Sequence, residues 1–404
     1  MKSLTMRTHI SRLLGTLITV LPTVPCWAEN ADPNIDSKLP GADASALPGD
    51  GGVDLEDVTL VGNPLRRVLS NWPEDLVVAP VPGRSPQMGW ELTLAGTYFI
   101  GKRSEDAPPP SMVGGFAMFS ENGSYIYGGG ANLHLLDDQL RVGVGAGYMD
   151  VRYRYYGIGQ DVNETDLNVD VVMRAPLYFG SASWRVWNKL YIGLGYIGGD
   201  VESSLRFDLP VDPFPDVSLD LRIGGIELPF EYDARDHEQF PRNGWLIDGG
   251  VTLYRESVGS DFNADTTELT INRYLPVREH DVLALRAYMH ATSGDAPFFL
   301  LSAFGGATDL RGYPSGRYRD RMMYALQGEY RWQVNDKWIL TGFAGFGEVA
   351  EKFSDFASAS DNLLPAVGIG ARRVLSQKHR VSLSLDLASG KDGTEFYVGV
   401  GEAF

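Results

Sequence analysis

"RVGVGAGYMDV", residues 141–151, alternates without a break: Val142, Val144, Ala146 and Tyr148 share one side, and Gly143, Gly145, Gly147 and Met149 the other. A period of two is the signature of a strand, in which successive side chains point to opposite faces. "KLYIGLGYIGG", from Lys189, repeats the pattern with Leu190, Ile192, Leu194 and Tyr196 opposite Tyr191, Gly193 and Gly195. Both runs are about ten residues, the length a tilted strand needs to cross a bilayer. No stretch of eighteen apolar residues occurs anywhere, so a membrane reading requires strands. Only helices and closed barrels satisfy every backbone group in lipid.

Working outward, sixteen such runs are expected near 76–84, 88–100, 111–119, 124–137, 140–156, 165–180, 186–203, 219–234, 243–255, 262–275, 281–294, 321–333, 337–348, 362–375, 379–389 and 394–404. An even number suits a bacterial outer-membrane barrel. Connections at 137–139, 334–337 and 376–378 are very short, as periplasmic turns are, while long loops are expected near 200–218, 295–320 and 349–361. Tyr, Trp and Phe gather near run ends, as interface girdles do. The last run, "EFYVGVGEAF", keeps Phe396, Val398 and Val400 in phase and ends in Phe404, an alternating strand with a terminal aromatic that reads as an outer-membrane assembly signal. The expected fold is all-β: a 16-stranded antiparallel transmembrane β-barrel. A secreted β-sandwich or propeller is the soluble alternative, but no repeat of propeller length is present.

Residues 1–28 read as a secretory signal peptide: Lys2, Arg7 and Arg12, an apolar run from Leu13 to Val24, and Ala28 before the cleavage point. Cleavage there removes Cys26, the one cysteine, and with it any disulfide or cysteine-ligated metal. The formal charge of −17 becomes −20 once those three cations are gone, which argues against a nucleic-acid partner. Residues 29–75 are acidic and rich in Pro, Gly and Ala, and read as a periplasmic linker. Within it Leu65, Val68, Leu69 and Trp72 recur at helical spacing, so a short helix is expected over 58–72. The barrel domain is expected over 76–404.

One passage breaks the texture. "GGATDLRGYPSGRYRDR", residues 305–321, places Arg311, Arg317, Arg319 and Arg321 in a Gly- and Pro-broken loop of an acidic chain. Lining of the lumen for charge balance, or binding of lipopolysaccharide phosphates, are the two readings of Arg317, Arg319 and Arg321.

Three stretches carry a family resemblance. "LVVAPVPGRSPQMGWELTLAGTYF" (76–99) is similar to an opening hairpin, "FEYDARDHEQFPRNGW" (230–245) to a D-x-R-D…P-x-x-G turn, and "DLRGYP" (309–314) to an R-G-F/Y loop motif. Together they resemble the BamA-like outer-membrane assembly factors, the bacterial surface antigen superfamily that includes TamA and the two-partner secretion transporters. The resemblance covers residues 76–404. It implies a loop folded back into the barrel, with Leu310, Arg311, Gly312 and Tyr313 as its motif and Glu329 as the inner-wall partner of Arg311. An arginine buried there needs an acidic partner. It also implies a periplasmic turn built on Asp233, Arg235, Asp236, Pro241 and Gly244.

The sequence departs from the family in two places. In "GFAGFGEVA", Gly345 stands where an aspartate that also holds the arginine is expected, which leaves Arg311 to rely on Glu329 alone, or on Glu348. The translocating members carry POTRA domains, and the 47 residues of 29–75 do not accommodate one, so a POTRA-less member is expected.

For function the resemblance implies outer-membrane protein assembly or translocation through a seam between the first and last strands. A passive or gated channel and a structural surface antigen are the alternatives. The implied partners are outer-membrane lipids including lipopolysaccharide, the barrel assembly machinery for the chain's own insertion, and unfolded membrane-protein clients. No enzyme is expected: His134, His237, His280, His290 and His379 are scattered, and neither H-E-x-x-H nor G-x-S-x-G occurs. "ASGKDG" (388–393) lacks nucleotide-loop spacing, so no catalytic, cofactor or metal residue is assigned.

Overall fold

The computed structural model describes residues 5–7, 75–101, 110–159, 169–207, 217–237, 240–306, 309–356, 362–376 and 381–404. The signal-peptide cleavage point, the acidic linker and the 58–72 helix lie outside them.

In chain order the strands are β1 (Thr5–Arg7), β2 (Leu76–Ser85), β3 (Gly89–Ile100), β4 (Ser111–Ser120), β5 (Tyr125–Leu135), β6 (Leu140–Tyr155), β7 (Val169–Trp187), β8 (Leu190–Phe207), β9 (Val217–Asp233), β10 (Gly244–Tyr254), β11 (Ala264–Pro276), β12 (Val282–Gly294), β13 (Phe298–Phe299), β14 (Ser302–Phe304), β15 (Tyr318–Asp320), β16 (Met322–Asn335), β17 (Trp338–Ala350), β18 (Leu364–Ser376), β19 (Val381–Gly390) and β20 (Gly393–Val400). Sixteen of them, β2–β12 and β16–β20, close into one barrel in sequence order, every neighbour antiparallel. Strand β1 pairs in parallel with β13.

The alternation is what makes the barrel two-sided. On β3, Leu92, Leu94, Tyr98 and Ile100 are exposed, whereas Ala95, Thr97 and Phe99 are buried. The same outward apolar face continues through Val144, Tyr178, Leu194, Leu228, Val367 and Leu387. Exposed apolar side chains that encircle a closed sheet form the surface that lipid covers. Aromatic rings bound this belt. Trp184, Trp187, Trp245, Trp332 and Trp338 are exposed near the end that bears both barrel termini, and Tyr127 near the other.

Turns alternate in length between the two ends. At the terminus-bearing end β4–β20 are joined by tight links such as 136–139, 188–189 and 336–337. At the other end lie the long connections after β6, β8, β12 and β17. Most boundaries fall within a few residues of the sequence-based expectation. Strand β8 is shifted to 190–207 and so shortens the loop expected near 200–218, and the ends of β7 and β20 also differ. Strand β7 runs on to Trp187, because Ser181 and Ser183 alternate with exposed Ala182 and Trp184 instead of turning the chain. Strand β20 ends at Val400, and residues 401–404 leave the wall.

The connection between β12 and β16 fills much of the lumen. Strands β14 and β15 pair as an inner hairpin, Ser302↔Asp320 to Phe304↔Tyr318, with the Arg-Gly-Tyr segment at its tip. Phe304, Leu310, Tyr313 and Tyr318 pack against Tyr288, Met323, Ala325, Val349, Leu364 and Ala366 of the wall. Where the tip meets the wall, the wall is glycine. A Cβ on Gly345 would lie 2.6 Å from Leu310 Cδ1, and one on Gly390 would lie 2.6 Å from the Gly312 carbonyl oxygen.

Candidate functional site

The loop tip is fixed by its own backbone first. Gly312 sits at φ +116°, a left-handed conformation that side chains rarely adopt, and so turns Arg311 back towards the wall. The Gly316 N–H donates to the Phe304 carbonyl (2.9 Å), and the Gly305 N–H to Asp309 Oδ2 (2.9 Å). The wall then takes hold of the tip. Tyr397 Oη accepts from the Gly312 N–H at 3.0 Å and donates to the Tyr313 carbonyl at 3.2 Å. The Tyr313 hydroxyl donates to the Pro365 carbonyl at 2.6 Å and accepts from the Lys391 N–H at 3.0 Å. Tyr318 and Arg317 both reach Asp392, at 2.9 and 3.2 Å. The loop is therefore tied chiefly to β18, β20 and the β19–β20 turn, within the last three strands of the barrel.

Arg311 is wholly buried. Its Nη2 lies 2.5 Å from Glu329 Oε2 and its Nη1 lies 2.7 Å from Asp386 Oδ2. The guanidinium carbon stands 3.5 Å from the Phe343 ring centroid, so the plane is stacked as well as forked. Arg372 Nη1 reaches the other Asp386 oxygen at 2.5 Å, and Arg331 Nε the other Glu329 oxygen at 2.8 Å. Glu402 completes the set, 3.2 Å from Arg372 and 3.4 Å from Arg331. Three guanidinium groups thus face three carboxylates. Charge balance of this kind is what lets such a cluster exist inside a barrel.

Of the residues named from the sequence, Glu329 is against Arg311, and Gly312 and Tyr313 shape and seat the tip. Leu310 is buried over Gly345. Glu348 accepts from the Tyr324 hydroxyl at 3.3 Å, and the second carboxylate on Arg311 is Asp386. Sequence reasoning missed Asp386, Arg372 and Glu402. A signal existed: in "SLSLDLASG" Asp386 is a lone charge on the inward side of β19, opposite exposed Leu385 and Leu387.

The 233–244 turn lies at the terminus-bearing end. Asp233 holds Arg235 at 2.7 Å, Asp236 Oδ1 accepts from the Arg242 N–H (2.9 Å), and Gly244 takes φ +120° beside the Ala234 carbonyl. His237 accepts the Phe240 N–H at 3.2 Å, a structural use. Pro241 lines a 280 Å³ cavity with Arg242, Arg331 and Glu402 at that mouth. Phe404 is turned into the lumen beside Tyr274, Val282 and Ala284, its carbonyl accepting from Arg331 at 2.6 Å.

A second rim cluster was not singled out from the sequence. In the 136–139 turn Asp138 lies 2.7 Å from His134 Nδ1 and 2.9 Å from Arg141, and accepts the Tyr191 hydroxyl at 2.6 Å. Burial alone would raise the Asp138 carboxyl, but the hydrogen bonds from Arg141, His134 and Tyr191 outweigh it and hold it well below the ordinary carboxylate range. A depressed folded value stabilises the protein above the unfolded value of about 3.9 and loses that contribution only as pH falls through the folded value. Asp138→Asn is expected to cost about 2 kcal/mol at neutral pH. Urea titrations should show the same deficit at pH 7 and pH 5, with convergence on wild type only in stronger acid. A deficit already vanishing between pH 7 and 5 would contradict the assignment.

The seam is the other feature with chemical consequence. Strand β2 pairs with β3 along its length, Leu76↔Tyr98 to Ser85↔Gly89, and β20 pairs with β19 from Leu383↔Val400 to Gly390↔Gly393. Between β2 and β20 a single pair registers, Arg84↔Val398, assisted by Arg84 Nη1 donating to the Phe396 carbonyl at 2.7 Å. Pro80 and Pro82 on β2 carry no N–H to offer. On the other side the chain turns away after Val400, with the Gly401 N–H donated to Ser382.

Residues 221–404, which hold the inner loop and all six members of the ion cluster, match the Omp85 superfamily domain. The match covers the C-terminal part of the barrel, from within β9 to the last strand. Solved structures share the barrel fold with it. BamA from Haemophilus ducreyi lacking POTRA domains 1–3 superposes with a TM-score of 0.58 at 14% identity, over 81% of this chain and 70% of that one. CdiB from Escherichia coli gives 0.53 at 11% identity, over 82% and 63%, and CdiB from Acinetobacter baumannii 0.52 at 10%, over 80% and 59%. The chain therefore spans less than two thirds of either CdiB. No curated protein matches it. Among the described residues there is no domain beside the barrel.

Proposed function

We propose that this chain works in the bacterial outer membrane as an assembly or translocation factor, with the β2–β20 seam as its working edge. The single registered pair at the seam carries this reading. Elsewhere the barrel is zipped by long ladders, and each missing rung leaves backbone donors and acceptors able to pair with another strand. The terminus-bearing end, with its tight turns, would face the periplasm and the long connections the outside. On this reading unfolded membrane-protein segments are the clients, lipids including lipopolysaccharide are the surroundings, and the chain performs no catalysis of its own. A plain pore accords less well with a lumen occupied by the buried Arg311–Tyr313 tip.

The test is a reversible lock. Arg84→Cys with Val398→Cys places two thiols on the one registered pair, in a mature chain expected to contain no other cysteine. A deletion strain complemented with this variant should lose particular outer-membrane proteins under oxidising conditions and regain them with reductant. Crosslinked barrels that leave the outer-membrane proteome unchanged would sink the gate.

A further inference from the structure

The four loop arginines do not share one fate. Arg311 and Arg317 meet carboxylates, and Arg321 donates to the Gly294 carbonyl at 3.1 Å in a partly exposed position. Arg319 is different. It is 1% exposed, none of its Nε, Nη1 and Nη2 makes a well-formed hydrogen bond, and its polar neighbours are the buried Tyr153 and Tyr155 side chains. Beside it, with the guanidinium carbon 5.5 Å from the ring centroid, is Tyr155, also buried and with an unpartnered hydroxyl. Phe298 closes the other side of that ring edge-on at 5.8 Å.

The position is held rigidly. Arg319 pairs with Ala303 inside the hairpin, and its carbonyl accepts the Gly159 N–H at 2.7 Å. Gly316 leaves room for the side chain: a Cβ there would lie 2.5 Å from Nη2. A preorganised guanidinium with no countercharge among the described residues, in aromatic surroundings, is among the costliest arrangements a fold can keep. A fork of N–H donors with a hydroxyl alongside matches an oxyanion, which accepts several charge-assisted hydrogen bonds at once.

We propose that Arg319 and Tyr155 form a binding site for a small phosphate-type oxyanion inside the barrel, at the end bearing the long connections. The phosphate is either free or carried by a lipid headgroup. The site is separate from the Arg311 cluster and independent of the seam's role.

The experiment uses the full chain, folded in detergent micelles, with unfolding followed by tryptophan fluorescence and by the heat-dependent gel mobility of the barrel. Inorganic phosphate is titrated against chloride at constant ionic strength, and lipopolysaccharide micelles form a second arm. Wild type should gain stability with ligand. At one hundred times the dissociation constant the unfolding equilibrium falls about 100-fold, a rise in midpoint of about 5 °C. Arg319→Met should show no response, and in phosphate-free buffer should be no less stable than wild type, because it removes an unpaired buried charge. Tyr155→Phe keeps the ring packing and should weaken the response about tenfold through one lost hydrogen bond. A response to inorganic phosphate identifies the free ion, and a response to lipopolysaccharide alone identifies a lipid phosphate. Equal responses of wild type and Arg319→Met to both ligands would overturn the site. Should Arg319→Met fail to fold, Tyr155→Phe decides: a response unchanged from wild type overturns it equally.

Discussion

Arg311→Ala should destabilise the barrel by about 3–5 kcal/mol, the cost of leaving buried charge uncompensated. The substitution strands Glu329 and Asp386, which would face only Arg331 and Arg372, with Glu402 drawing on the same two cations. Urea unfolding in micelles gives the energy, and limited trypsin digestion gives the cause. Arg317 and Arg319 are buried beneath the tip in the wild type and should resist cleavage. In the variant the tip loses its anchor, and the segment should be cut at these arginines while the strands stay intact. Arg311→Lys should fall between the two, because one ammonium cannot reproduce the two-armed span from β16 to β19. Stability within 1 kcal/mol of wild type, with the loop still protected, would show that the hydrogen bonds of Tyr313 and Tyr397 hold the tip without the ion cluster.

Gly345→Asp is the second large effect. It restores the residue that the family resemblance leads one to expect, and it should nonetheless cost about 3 kcal/mol or more. A Cβ at 345 would stand 2.4 Å from the Leu326 carbonyl oxygen and 2.6 Å from Leu310 Cδ1, so the backbone or the loop must move. The added carboxylate would also be a fourth acid against three guanidinium groups. Gly345→Ala isolates the steric part, about 1–3 kcal/mol. The decisive variant is Gly345→Asp with Asp386→Asn. If the acid had merely moved between strands, this double change would recover stability, and a wild-type denaturation midpoint would refute the account. Further loss is expected, because β17 at Gly345 is covered by Leu310, whereas Asp386 faces both Arg311 and Arg372.

These two experiments rest on different kinds of information. The period-two alternation of runs such as 141–151 is enough to specify strands, and their number and length specify a barrel, because no other arrangement of strands satisfies its backbone in lipid. The opening hairpin, the turn at 233–244 and the Arg-Gly-Tyr tip are also legible, because each is a short contiguous motif that resembles one of a known family. Glu329 was reachable in the same way, as an acid on the strand that follows the loop. The misjudged end of β7 has a local origin as well: the two inward serines look like turn residues when their alternation with Ala182 and Trp184 is overlooked.

Arg372 and Glu402 lie beyond that reach, and so does the pairing of Asp386, whose inward position alone was legible. Their partners are brought together across the lumen by closure of the sheet, with Arg311 and Asp386 separated by 75 residues of chain. Whether a charge on an inward face is paired depends on which strands stand opposite, and no local pattern encodes that. Nor does any local pattern separate Arg319 from Arg317: both are arginines on a Gly-rich loop, and only the packing gives one a carboxylate and leaves the other beside a tyrosine ring. The seam is decided in the same place. The prolines of β2 mark a weak edge in sequence, but the single registered pair arises because β20 stops at Val400 and its tail is held by Arg331 of β16, four strands away. Sequence alone determines that this chain forms a closed sixteen-stranded wall around an inward loop. The tertiary structure decides how the buried charges are matched and where the wall is left unzipped, because both depend on contacts between residues that only barrel closure brings together.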